Sequence, residues 1–110
     1  MITKQDFLVI EEQLDNFSKN RALKSPEAKP LIDQYFDLII QFFKQINDID
    51  IINFNNLENY PVVPMNFEER YNYMIARKYH FMGYSQMKTL KTELIKMNAS
   101  YQIRKNRRNK

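Results

Sequence analysis

Apolar residues recur along this chain at helical spacing, and β-type alternation is absent over any useful length. Phe7, Ile10, Leu14 and Phe17 form a 3-4-3 stripe widened by Leu8, which predicts a helix over about residues 4–22. Thr3, with Asp6 three residues later, reads as its N-terminal cap. Glu11, Glu12, Asp15 and Lys19 fall largely off the stripe, on a side expected to face water. Ser25-Pro26-Glu27 reads as the next cap with proline at the first helical position, and Pro30 offers a later start. From there Ile32, Tyr35, Ile39, Phe42 and Ile46 make one stripe, and Phe36, Ile40 and Phe43 make a second. A helix apolar on two faces belongs at the centre of a bundle or at a subunit interface; the central position is favoured.

Residues 47–66 are rich in Asn and contain Asp48, Asp50, Pro61 and Pro64, which predicts a long irregular connection. Ile49, Ile51, Ile52, Phe54 and Leu57 are expected to anchor it, with a helical turn near Asn55–Asn59. Val62-Val63, between two prolines, should be extended. Asn66 with Glu69 reads as a capping box for a helix reaching about His80 through Phe67, Tyr71 and Met74. Gly83 reads as a turn and Ser85 as the cap of a last helix carrying Met87, Leu90, Leu94 and Met97. The expected fold is all-α: a compact bundle of about four helices in one domain, residues 1–98. A basic, flexible tail would occupy 99–110.

Charge changes this picture. Residues 1–69 hold six Lys/Arg against twelve Asp/Glu, whereas residues 70–110 hold eleven against one, Glu93. A net +4 thus conceals halves of −6 and +10. The basic half should attract nucleic acid or an acidic protein surface. Arg70, Arg77 and Lys78 interleave with tyrosines, Lys88 and Lys91 lie on the last helix, and Arg104, Lys105, Arg107 and Arg108 cluster near the end. Cations neutralise phosphates, and aromatic faces stack on unpaired bases. These nine are the candidate nucleic-acid-binding residues. The two helices expected to meet near Phe81–Ser85 also have a helix-turn-helix outline, with residues 86–97 in the recognition position. The stretch Ile75-Ala76-Arg77-Lys78-Tyr79 resembles the first helix of many bacterial DNA-binding folds.

Other chemistry finds little support. With no cysteine and only His80, a metal site is not expected. One glycine excludes a glycine-rich phosphate loop, and no serine has a nucleophile's context. Glu11, Glu12 and Asp15, or Asp48 with Asp50, are local acids without converging partners, so no catalytic site and no cofactor are expected. The acidic face could instead fold back on the basic tail, or imitate a phosphate surface. No stretch has the ~20 apolar residues of a membrane span, and Phe7–Ile10 is followed at once by two acids, unlike a signal peptide. A cytoplasmic location is expected. The abundance of Asn, Lys, Ile, Tyr and Phe points to an AT-rich genome, such as a low-GC bacterium, its phage or a mobile element.

The sequence therefore predicts a small non-enzymatic binding protein, an accessory or regulatory factor on nucleic acid or a nucleic-acid-processing complex. The competing reading is a protein–protein module, such as an inhibitor that docks on a host protein through the two-faced helix at 31–46 or the helix at 86–97. A second copy of the chain is a further partner that the two-faced helix allows.

Overall fold

The computed structural model describes residues 1–108. Four α-helices follow in order: α1 (Lys4–Lys19), α2 (Lys29–Asn47), α3 (Phe67–Ala76) and α4 (Phe81–Arg108), with a 3-10 helix at Phe54–Asn59 between α2 and α3. α1 packs on α2, α3 on α4, and α2 on α4. The all-α bundle expected from the spacing is the fold.

α2 is the central helix. Ile32, Tyr35, Ile39 and Phe42 are buried on one side, and Ile40 and Phe43 on the other, with Phe36 half-buried against the core. Phe7 and Leu14 of α1, Phe67 and Met74 of α3, and Tyr84, Met87, Leu90 and Leu94 of α4 complete the core. Each buried aromatic removes ~150–250 Å² from water.

Helix ends follow local chemistry. Thr3 N–H donates to Asp6 Oδ2 at 2.8 Å, closing the N-terminus of α1 as expected. α1 stops at Lys19, short of residue 22, because Arg21 takes the left-handed conformation (φ 55°) and Ala22 N–H turns back to the Phe17 carbonyl. Asp48 ends α2 in the same way. With a single glycine in the sequence, ordinary residues carry these left-handed turns. Ser25 Oγ accepts from Ala28 N–H, but the regular helix starts at Lys29, so Pro30 marks the true beginning of α2. Asn66 is itself left-handed and its side chain makes no capping bond, so the expected capping box does not form.

The long connection is tied down at two points. Asn47, buried, donates Nδ2 to the Val62 carbonyl and accepts from Val62 N–H, both at 2.8 Å. Phe54 stacks on Phe67, which stacks on Phe43 with centroids 4.3 Å apart. Ile49, Ile52 and Leu57 pack against the core, whereas Ile51 is 80% exposed and anchors nothing.

The largest correction lies at the start of α4. α3 ends at Ala76 and α4 begins at Phe81, so the turn is Arg77–His80, ahead of the expected Phe81–Ser85. Gly83 and Ser85 sit inside the helix. Gly83 is there because a Cβ would run into the Arg77 carbonyl; it permits close approach and makes no turn. α4 then continues without a break through residue 98 to Arg108.

Candidate nucleic-acid interface

The opposite charges of the two halves meet inside the bundle. Lys91 Nζ lies 2.8 Å from Glu11 Oε2, and both residues are buried. Tyr35 Oη donates to the same Glu11 oxygen at 2.7 Å. Glu11 therefore faces inward, contrary to its expected place on a solvated side. One turn on, Asp15 Oδ1 accepts from Tyr84 Oη at 2.7 Å and from Lys88 Nζ at 2.9 Å. Lys78 reaches Asp33 at 2.9 Å, and Tyr79 Oη donates to that carboxylate at 2.7 Å. Arg70 pairs with Glu93 at 2.7 Å within the basic half.

These contacts shift proton affinities in consistent directions. Burial works to raise the Asp15 carboxyl, but hydrogen bonds from Lys88 and Tyr84 and the nearby lysine charges outweigh it and hold the group below its usual 3.8. The Lys78 and Tyr79 hydrogen bonds lower Asp33 in the same way. Burial, then hydrogen bonding to a carboxylate, pushes the Tyr35 and Tyr84 hydroxyls well above 10. Among the described residues no buried side-chain polar atom lacks a partner, and no group of His, Asp and Glu could hold a metal.

The nine candidate cations divide accordingly. Arg70, Lys78, Lys88 and Lys91 are held by carboxylates of the same chain. Lys91 faces away from solvent, so the helix at 86–97 does not present its lysines as one free face. Arg77 is exposed and lies over the Tyr73 ring at 5.4 Å. Arg104, Lys105 and Arg107 are exposed on the last turns of α4, and no ion pair engages them among the described residues. The Arg108 side chain lies outside the described residues. The structure does not gather all nine at one place: Arg77 and Lys78 lie at one end of α4, Arg104–Arg107 at the other, and 23 residues of helix separate Phe81 from Arg104 by about 35 Å.

At the Arg77–His80 end the N-terminal half contributes cations that the charge split concealed. Lys24 and Lys29 line a cleft of about 570 Å³ together with Lys78, Tyr79 and His80. An adjoining cleft of about 460 Å³ is lined by Arg21, Lys24, Tyr79 and Phe81. The signal for these residues was the run Arg21, Lys24, Lys29, with Glu27 its one acid, from the end of α1 to the first residue of α2.

A family model described as YpoC-like protein matches residues 3–106. The chain belongs to the YpoC-like family. That match spans Thr3 at the start of α1, the Glu11–Lys91 pair, both clefts and the exposed cations as far as Lys105. No curated protein and no solved structure matches the chain. No helix among the described residues is long and apolar enough to cross a membrane.

Proposed function

We propose that this protein is a non-enzymatic accessory or regulatory factor that contacts nucleic acid, or a complex processing it, through its basic C-terminal half. One observation carries the reading. The last turns of α4 present Arg104, Lys105 and Arg107 to solvent, and no acid follows Glu93. A helix with cations around it lies readily along a phosphate backbone, and each neutralised phosphate releases a counterion. Arg70, Lys78, Lys88 and Lys91 are engaged by carboxylates of the chain, so the contact rests on Arg77 and the α4 extension.

Removing Arg104–Lys110 tests this. Ile103, next to the cut, is 54% exposed, so no core stripe is lost and the melting temperature should hold. Affinity for nucleic acid should fall, and the slope of log affinity against log salt should flatten by roughly 0.7–0.9 per phosphate contact removed. A truncated protein with unchanged affinity and slope removes the extension from the mechanism.

A protein partner is the second reading, favoured by Leu8 and Val9, which are 40% and 51% exposed on the outer side of α1. A stoichiometric complex that survives nuclease and high salt, and that Val9→Glu abolishes, would put that reading first.

A further inference from the structure

Both clefts at the Arg77–His80 end share Lys24 and Tyr79, so they lie side by side at the tip of the bundle. Its cations come from both charge halves. Arg21, Lys24 and Lys29 are exposed, and none is in an ion pair among the described residues. Lys78 is already balanced by Asp33 and Lys88 by Asp15, and Glu27 is the one acid between Arg21 and Lys29 in the sequence. The tip therefore keeps excess positive charge after its internal pairs are made.

The tip also holds rings in defined positions. The bond from Tyr79 Oη to Asp33 fixes that ring as the wall between the clefts, and Lys29 Nζ sits 5.3 Å from its centroid. Phe81, beside it, is 62% exposed. A large aromatic left open at the first turn of a helix, beside unpaired cations, matches a backbone-tracking groove with a stacking platform. Bases in a duplex show no free face to such a ring, whereas unpaired bases do.

We propose that this tip is a binding groove for single-stranded nucleic acid, with phosphates at Arg21, Lys24 and Lys29 and an unpaired base on Phe81. The proposal rests on the nucleic-acid reading above but concerns the end of α4 where Arg77 lies, about 35 Å from Arg104, and residues that reading does not use.

The test is fluorescence anisotropy with a labelled oligothymidine of about 15 nucleotides and a duplex of equal length, at several salt concentrations. Lys24→Ala with Lys29→Ala should weaken single-strand binding and reduce its salt slope by about 1.4, at ~0.7 per phosphate contact. Phe81→Ala should weaken it by about 5- to 150-fold, the fold-change that corresponds to ~1–3 kcal/mol of stacking, with the slope unchanged. Phe81→Leu, which keeps apolar bulk without the ring, should show the same loss. Duplex binding should be insensitive to either Phe81 change. If the wild type binds the single strand and all these variants bind equally well, the tip proposal is overturned while the α4 reading stands. If the wild type binds neither oligonucleotide at low salt, both fail.

Discussion

Lys91→Met removes the cation from the buried pair and leaves Glu11 with only the Tyr35 hydroxyl at its Oε2. Breaking a buried pair from one side typically destabilises by about 3–5 kcal/mol, because the remaining charge has lost its counterion. At ~2.1 cal/mol/K of unfolding entropy per residue, 110 residues lose about 4 °C of melting temperature per kcal/mol, so the expected drop is about 13–22 °C. Glu11→Leu with Lys91→Met should recover part of this, since an apolar replacement of a buried pair is often near neutral. It leaves the Tyr35 hydroxyl without an acceptor, an omission worth about 1–3 kcal/mol. Adding Tyr35→Phe should restore most of the rest. Urea titrations of the four proteins, followed by circular dichroism, measure the series. A loss of less than about 1 kcal/mol in Lys91→Met, or a triple variant no more stable than the single one, would show that the buried pair does not hold the fold in this way.

Gly83→Ala should destabilise by about 1–3 kcal/mol in a urea titration, although alanine favours helices, because its Cβ collides with the Arg77 carbonyl. Asp48→Gly should stabilise by about 1 kcal/mol in the same assay, by relieving a left-handed non-glycine residue. Asp15 and Asp33 carry lowered pKa values, so their contribution is present above the unfolded value of 3.8 and is lost as pH falls through the lower folded value; Asp15→Asn should flatten the fall in melting temperature below about pH 4. Tyr35 and Tyr84 have raised values, so their contribution holds below the unfolded 10 and is lost as pH rises beyond it; phenolate absorbance should show these two still protonated at about pH 11 while the fold persists.

Features set by spacing along one helix were legible from the sequence. The two stripes of α2 identified the central helix, and the prolines and asparagines of 47–66 marked the connection. Features set by partners distant in sequence were not. Glu11 lies beside the apolar stripe of α1, and nothing near it announces that Lys91, eighty residues on, supplies its counterion. Gly83 has the composition of a turn; its actual role depends on how α3 approaches α4. The charge split suggested a basic half, yet folding joined acids of one half to bases of the other and left free cations at the two ends of α4. Arg21, Lys24 and Lys29 belong to the acidic half by sequence and to a basic cleft by position.

Whether the basic half binds nucleic acid is decided by anisotropy of the intact protein with labelled single- and double-stranded oligonucleotides, at salt from about 50 to 200 mM. The intact protein should bind measurably at the lowest salt, and log affinity should decline linearly with log salt. The slope should be steeper than that of a protein lacking Arg104–Lys110. Absence of binding to both nucleic acids at about 50 mM salt would contradict nucleic-acid binding by the basic half and leave docking on another protein as the function to pursue.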